Sequence, residues 1–288
     1  MRVLNSACIS VLFPKSRKSI DEFKRTAEFL AGRGVKGIEF FYDGDHPERV
    51  GGILADNGLD GIFIVVIPSK EGKLWLCDTD DDRRAAAVKM ATGYLDYARD
   101  NGMEKVMINS GRPDGDIAKG LDALAASVGE LFEHAEKTSH GLKLCLEPCD
   151  DNMEAFHLIG PYRRAVDFVQ RVQEEGYPLT LTMDAAHTAE TGEDFVEAMR
   201  AAKPYCNHVH FANCNISQPD NPLYGDKHLG FEYPDSVWTP ETLARLYGEL
   251  EKLYPGDEEL RIGIEILCRE DDPFAYYEKT WNMLPFMH

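Results

Sequence analysis

The sequence is poor in basic residues, and this shortage limits the partners that the protein can bind. It has 31 Lys and Arg residues against 50 Asp and Glu residues, which gives a formal net charge of −19 at pH 7. Binding to nucleic acids and to anionic membrane surfaces depends on basic side chains. The composition therefore argues against a nucleic-acid partner and, more weakly, against a membrane partner.

Signals for membranes, export and disulfides are also missing. No run of about 18 consecutive apolar residues is present, so no transmembrane helix is expected. Residues 1–5 lack the apolar segment of a signal peptide. The seven cysteines are odd in number and form no CxxC motif, which does not fit a disulfide framework. We expect a cytoplasmic protein with reduced thiols.

The chain alternates short apolar segments with longer amphipathic ones. The apolar segments are nearly continuous in hydrophobicity, which is typical of parallel strands that are covered on both faces. Eight such strands are predicted, at residues 3–10, 36–41, 61–67, 105–109, 142–147, 179–184, 207–212 and 261–267.

Helical patterns fill the intervals between the predicted strands. A capping box at 19–22 opens a helix that ends near 32–34, and further helices are predicted at 82–100, 116–138, 161–175 and 194–202, from 239 and from 272, with a weaker pattern at 46–57. This alternation predicts one (β/α)8 TIM barrel comprising residues 1–288. The main alternative is a doubly wound open sheet, but neither GxGxxG nor GxxxxGK[ST] is present.

The predicted strands five to eight end in polar residues that are able to bind a metal. These residues are Glu147, Asp184, His210 and Glu265. Closure of a barrel would bring them to one rim, where three carboxylates would repel one another unless a cation lay between them. This donor set predicts one divalent metal, first of all Mn²⁺, with Mg²⁺, Co²⁺, Fe²⁺ or Zn²⁺ as alternatives.

Each of these residues also has a structural explanation. An acid at a strand end often caps the next helix, and Glu265 could pair with Arg269 or Arg112. His208, two residues before His210, points to the same face, and we expect it to be packed and hydrogen-bonded. Four metal-binding residue types on four consecutive strands are nevertheless a more specific signal than any one of them.

Further residues are candidates for substrate binding. His187 lies three residues after Asp184, Glu39 ends the second predicted strand, and Arg112 follows the fourth. Glu39 could equally form a structural ion pair. The long irregular segment 213–238 contains Asp226 and His228, which could supply additional metal or substrate ligands or form a solvent-facing turn.

Several segments resemble the xylose isomerase-like TIM-barrel superfamily, in particular its sugar isomerase/epimerase group. They are Gly-Ile-Glu at 37–39, Leu-Glu-Pro at 146–148, Met-Asp-Ala-Ala-His at 183–187, His-Val-His at 208–210 and Ile-Glu at 264–265. The resemblance implies that Glu147, Asp184, His210 and Glu265 bind one divalent metal. It also implies that Glu147 and Glu265 form an acid/base pair and that His187 binds substrate.

The implied activity is a metal-dependent isomerisation or epimerisation of a ketose or related polyol, by proton transfer through an enediolate. No phosphate-binding loop is evident, which favours an unphosphorylated substrate. Inosose dehydratases and hydroxypyruvate isomerases share the barrel, so a dehydratase or lyase remains open. Asp226 and His228 resemble the endonuclease IV branch, where such residues bind an extra metal. A hydrolase, a non-catalytic sugar-binding barrel and a homo-oligomer are also open.

Overall fold

Eight parallel strands close into the inner wall of a barrel, in the order in which they occur along the chain. The protein is described here by a computed structural model that covers residues 1–138 and 141–287. The first strand pairs with the second and with the eighth, so the ring is complete. The strands are β1 (Arg2–Cys8), β2 (Gly37–Phe40), β3 (Asp60–Ile64), β4 (Lys105–Ile108), β5 (Lys143–Leu146), β6 (Thr180–Asp184), β7 (Cys206–Ala212) and β8 (Glu259–Glu265).

Helices follow the strands and cover the outside of the barrel. This arrangement is a (β/α)8 TIM barrel and confirms the predicted fold class. The helices are α1 (Ile9–Leu12), α2 (Ile20–Ala31), α3 (Val50–Asn57), α4 (Val66–Gly72), α5 (Asp81–Asp100), α6 (Ile117–Thr138), α7 (Tyr162–Glu174), α8 (Ala185–Glu190), α9 (Phe195–Ala202), α10 (Pro240–Leu253) and α11 (Pro273–Asn282).

Polar side chains begin the helices where the sequence predicted helix starts. Ser19 accepts a hydrogen bond from the backbone N–H of Glu22, and Asp194, Thr239 and Asp272 cap their helices in the same way. Each cap satisfies a backbone N–H group that has no partner within the helix. These caps fix where the chain turns from each loop back onto the barrel.

The predicted boundaries are wrong where an apolar run continues past a strand. The prediction extended the first strand to residue 10 and the third to residue 67, whereas Ile9 and Val66 begin helices α1 and α4. A buried strand and the first turn of a buried helix look alike in hydrophobicity. The short helix α8 was not predicted, and the pattern at 46–57 divides into a 3₁₀ turn, Pro47–Arg49, and α3.

The strands of the barrel carry a small apolar cluster and many buried polar side chains. Ile62, Met107 and Cys145, from β3 to β5, form the apolar cluster. The buried polar side chains come from β1, β2, β4, β6, β7 and β8 and are Ser6, Glu39, Lys105, Thr182, Asp184, His208, His210 and Arg261. Polar groups inside a protein need partners, so the largest group of them, on β6 to β8 and β2, is where chemistry is to be sought.

The cysteines show no disulfide, since all seven are free thiols and six of them are buried. Among the helices of the described residues, none combines the length and the hydrophobicity needed to cross a membrane.

Candidate metal and substrate site

The four predicted metal ligands come together at the carboxyl ends of β5 to β8. Glu147 directly follows β5, Asp184 ends β6, His210 lies near the end of β7, and Glu265 ends β8. Asp184 pairs in register with His210 across the two central strands of this group. The parallel strands thus bring residues that are up to 118 positions apart to one rim.

One atom of each residue points to a common centre, and we call these four residues the acidic ring. The Nδ1 atom of His210 lies 2.8 Å from Glu147 Oε1, 2.6 Å from Glu265 Oε2 and 3.6 Å from Asp184 Oδ2. All four atoms are buried and have no hydrogen-bond partner. They lie within 4.8 Å of one another, so they could hold a metal ion.

Asp184 has two functions because its two oxygens face different groups. Its Oδ1 atom accepts hydrogen bonds from the N–H groups of Ala186 and His187, at 2.7 and 2.9 Å, and so caps α8. Its Oδ2 atom is left for the acidic ring. Helix capping and metal binding, which are alternative explanations of a strand-end acid, are compatible in this residue.

Glu39 lies beneath His210 and not in the substrate cavity. It is completely buried, and its carboxylate contacts Ser6 at 2.7 Å, His208 at 3.1 Å and His210 Nε2 at 2.8 Å. The expectation that Glu39 contacts substrate is therefore corrected. Glu39 is the third of the four residues of β2, and its side chain lies inside the barrel below the residues that line the cavity. The alternative of a structural ion pair describes it better.

The contact with Glu39 orients the ring of His210. A carboxylate only accepts hydrogen bonds, so a hydrogen is assigned to Nε2. Burial lowers the pKa of His210, but the charges of Glu39, Glu265 and Glu147 outweigh it and raise that pKa. A cation at the common centre would be faced by the lone pair of Nδ1. This chain of carboxylate, imidazole and common centre is the usual arrangement around a metal-binding histidine. His208 contacts the same carboxylate of Glu39 at 3.1 Å and the hydroxyl of Thr182 at 3.2 Å. It is therefore packed and hydrogen-bonded, as predicted.

Gly263 leaves the space that Glu39 occupies. A Cβ atom at this position would lie within 2.4 Å of Glu39 Oε1 and 3.0 Å of the His210 ring. Any side chain would therefore push both groups aside. The sequence carries a signal for this, since a glycine inside a strand often marks a close approach.

The two glutamates of the acidic ring have different electrostatic environments. Burial raises the pKa of Glu147, and the charge of Glu265 acts in the same direction. Burial also acts to raise the pKa of Glu265, but the imidazoles of His210 and His228 outweigh it and lower that pKa. Such differences between neighbouring carboxyl groups are common in active sites.

His187, Asp226 and His228 form a second group beside the acidic ring. His228 Nδ1 lies 2.7 Å from Asp226 Oδ1, and the rings of His187 and His228 are 5.5 Å apart. The ligand atoms of all three lie within 4.8 Å of one another. On the other side, His187 Nδ1 contacts the buried Glu190 at 3.0 Å. Carboxylates and imidazoles thus already compensate one another within this group.

The long segment 213–238 places Asp226 and His228. Asn213 holds the segment closed at its base, because its side chain bonds the backbone of Gly230 and Trp238. His228 has a positive φ of 44°, which is rare for a residue with a side chain. Its carbonyl accepts a hydrogen bond from Leu267 at 2.7 Å and so ties the segment to the end of β8.

A cavity of about 360 Å³ opens onto both groups. Glu147 and Glu265 lie at its floor beside His187, Asp226 and His228. Its walls include the apolar side chains of Val66, Ile67 and Trp75. Arg112 lies at the mouth and donates hydrogen bonds to the carbonyls of Ala155 and Glu154. The volume and the mixed lining suit a small polar molecule.

Comparison with known proteins identifies the family of the chain. Residues 27–234 match the sequence profile described as xylose isomerase-like TIM barrel. The chain belongs to the xylose isomerase-like TIM barrel family. A search of curated protein sequences gives no significant match.

Solved structures share this xylose isomerase-like fold over nearly the whole chain. The apo form of a 3-keto-D-glucoside 4-epimerase from E. coli has 17% identity and a TM-score of 0.67, with 99% of each chain covered. An L-ribulose 3-epimerase has 17% identity and a TM-score of 0.73, with 99% of this chain and 94% of the other covered. An AP endonuclease, family 2, from Brucella melitensis has 18% identity, a TM-score of 0.61, and 96% and 98% coverage.

Several residues of this xylose isomerase-like barrel were missed by sequence reasoning. Glu190 supports His187 from helix α8, and Asp150 accepts three backbone hydrogen bonds, from Met153, Glu154 and Ala155, that shape the cavity wall. His157 and Lys70 also line the cavity. None of them occurs in a spacing that predicts a site, because loop geometry brings them there.

Proposed function

We propose that the protein is a divalent-metal-dependent sugar isomerase or epimerase that acts on a ketose or a related polyol. The observation that carries this proposal is the acidic ring, whose four buried atoms face one centre without hydrogen-bond partners at the floor of a cavity. The similarity to a 3-keto-D-glucoside 4-epimerase and to an L-ribulose 3-epimerase supports the same reaction class.

The donor set of the acidic ring fits a hard divalent cation such as Mn²⁺ or Mg²⁺. Glu147, Asp184, His210 and Glu265 would each supply one of the unpartnered atoms. A divalent cation there would polarise a substrate carbonyl and so acidify the neighbouring C–H bond.

Glu147 and Glu265 would move the proton. Both side chains border the cavity, and both reach the centre of the acidic ring. One of them removes the proton from the carbon beside the carbonyl, and the other returns a proton to the same or the neighbouring carbon. Return to the opposite face of the same carbon gives an epimer, and return to the neighbouring carbon gives an isomer.

Other side chains would hold the substrate and exclude water. His187 lies beside the ring and is fixed by Glu190 at 3.0 Å, so it can orient a substrate hydroxyl. Arg112 is held by two backbone carbonyls and would contact the far end of the substrate. Val66, Ile67 and Trp75 give the cavity an apolar wall that displaces water around the reacting carbon.

The reaction class is tested by proton exchange with solvent. The Mn²⁺-loaded protein is incubated in D₂O with a series of ketoses, and incorporation of deuterium beside the carbonyl is followed by NMR. We expect incorporation with at least one ketose and a loss of about 100-fold or more in Glu265→Gln, since that change removes a proton-transfer group. Glu251→Gln, an exposed position on α10, is the matched control. Near-normal exchange in Glu265→Gln would contradict the proposal.

A hydrolase is the second candidate, because His187, Asp226 and His228 could hold a further metal beside the acidic ring. The similarity to an AP endonuclease, family 2, supports it, whereas the net charge of −19 opposes binding to DNA. Cleavage of DNA at abasic sites in the presence of Mn²⁺ or Zn²⁺ would favour this candidate over the isomerase.

A further inference from the structure

Three cations surround the mouth of the cavity without a carboxylate partner. They are Lys70, Arg112 and Arg269, all exposed. Within residues 1–138 and 141–287, no Asp or Glu side chain lies within ion-pair distance of any of them. Most basic residues of the described chain have acidic partners, and these three, which have none, line the same cavity. Positive charge without an acidic partner therefore lies where a substrate would enter.

The two arginines are held in place by backbone carbonyls. Arg112 donates to Ala155 at 2.8 Å and to Glu154 at 2.9 Å, and Arg269 donates to the carbonyl of Lys227 at 2.8 Å. A guanidinium group has five N–H donors, so each arginine keeps donors free. Because these groups are already fixed, less conformational entropy is lost when they bind a ligand.

His157 adds a buried polar group to the same wall. Its side chain is 5% exposed, borders the cavity, and packs edge-on against Trp75. Its Nδ1 atom is buried without a hydrogen-bond partner. Burial lowers its pKa to about 3, and the charges of His187, Arg112 and Lys70 act in the same direction. The neutral imidazole therefore adds no charge to this wall, and its Nδ1 atom lacks a partner.

The acids near the mouth do not cancel these charges. Glu154 is occupied by Lys227, whose ammonium group lies 2.6 and 2.7 Å from its two oxygens. Asp226 is paired with His228. Glu147 and Glu265 lie deeper, in the acidic ring. Along the cavity, a negative floor that suits a cation thus changes into a positive mouth that suits an anion.

We propose that the substrate carries an anionic group, a carboxylate or a phosphate, which binds to Lys70, Arg112 and Arg269 at the mouth of the cavity. This inference rests on the proposed function, because it assumes that the carbonyl end of the sugar lies at the acidic ring. A sugar acid agrees with the expectation of an unphosphorylated substrate, whereas a sugar phosphate would overturn that expectation.

Three sugars that differ at one carbon test the proposal. D-Fructose, D-fructuronate and D-fructose 6-phosphate share the same carbonyl end and carry a hydroxyl, a carboxylate or a phosphate at carbon 6. Their affinities for the Mn²⁺-loaded protein are measured by calorimetry. We expect at least one anion to bind about tenfold more tightly than D-fructose, since charge-assisted hydrogen bonds are strong, and the tighter anion identifies the class. Equal affinities, or no measurable binding of either anion, overturn the proposal.

Variants at the mouth locate the effect. Lys70→Met and Arg269→Gln should each weaken the preference for the anion, and the double variant, which keeps only Arg112 of the three cations, should lose most of it while the affinity for D-fructose changes little. Lys89→Met and Arg245→Gln, at exposed positions on α5 and α10, are matched controls and should keep the preference. An undiminished preference in the double variant would contradict the assignment to these residues.

Metal binding separates failure of this inference from failure of the proposed function. The double variant leaves the acidic ring intact, so it should bind the same number of Mn²⁺ equivalents as the unmodified protein. Normal metal binding without an anion preference overturns only the inference. If the unmodified protein binds no metal, the proposed function fails as well.

Discussion

The two ends of the barrel both carry clusters of charged residues, but only one of them is balanced. At the amino ends of the strands, Arg261 contacts Asp60 at 2.6 Å and Glu104 at 2.8 Å, and Lys143 contacts Glu104 at 2.9 Å. At the carboxyl ends, three carboxylates share one imidazole. Each carboxylate of the first cluster has a positively charged side chain as a partner, whereas the three carboxylates of the acidic ring have only one imidazole between them.

The difference shows how a structural cluster can be told from a functional one. Burying carboxylates near one another is costly unless positive charge is supplied. The amino-end cluster supplies that charge from Arg261 and Lys143, and it therefore stabilises the fold without a ligand. The acidic ring keeps four unpartnered atoms, which is expected where the missing charge comes from a bound cation. Two substitutions test this contrast directly, and a third tests the buried wall of the cavity above the acidic ring, with effects from the largest to the smallest.

Arg261→Met should cost stability without affecting the acidic ring. The side chain of Arg261 is 4% exposed, and its loss leaves Asp60 without a cation and Glu104 with Lys143 alone. Because the side chains of Asp60 and Glu104 are 47% and 28% exposed, the cost should lie between that of an exposed and that of a buried ion pair, about 1–3 kcal/mol, which urea denaturation should detect. Mn²⁺ affinity should not change. Arg2→Met, which removes an exposed ion pair with Glu259 at the same end, is the control and should cost less than about 1 kcal/mol. Equal losses of stability in the two variants would show that the ion pairs of Arg261 stabilise the fold no more than an exposed ion pair does.

Glu39→Gln should weaken metal binding with little loss of stability. The carboxylate orients His210 from below at 2.8 Å, and the amide keeps its shape but not its charge. Changes of this kind typically reduce metal affinity about 10- to 100-fold. Competition between the protein and a chelating dye for Mn²⁺ gives the affinity. An unchanged affinity would show that His210 does not depend on Glu39.

His157→Phe should make the protein less sensitive to acid. The pKa of His157 is lowered from 6.5 to about 3 in the folded protein, so between these values the unfolded chain binds a proton that the folded chain does not. Folding stability from this group is therefore complete above pH 6.5 and is lost as the pH falls towards 3, by at most about 1.4 kcal/mol per pH unit. Denaturation at several pH values should show a shallower slope in the variant. An identical slope would mean that His157 is not buried in its neutral form.

The fold and the acidic ring were predictable because they depend on repeated local patterns. Eight apolar segments separated by helical ones specify the barrel, and its closure necessarily brings the ends of β5 to β8 together. Glu147, Asp184, His210 and Glu265 each lie at a strand end that hydrophobicity alone locates. Their meeting in the structure follows from topology and not from any contact that is visible in the sequence.

Residues that depend on depth and loop geometry were not predictable. Glu39 lies one layer below the cavity because of where β2 begins, and an error of one residue in that boundary changes its role. Glu190 and His157 are brought to the cavity by a short helix and by the segment after β5, which carry no periodic signal. Lys70 lies on α4, which the sequence analysis assigned in part to a strand.

The central claim, that the acidic ring holds one divalent cation, is tested most directly by metal stoichiometry. Protein purified without chelator is saturated with Mn²⁺, and the bound metal is counted by elemental analysis beside Asp184→Asn and Asp226→Asn. We predict one equivalent in the unmodified protein and in Asp226→Asn, and essentially none in Asp184→Asn. No metal in the unmodified protein, one equivalent retained in Asp184→Asn, or a second equivalent that is lost in Asp226→Asn would contradict the claim.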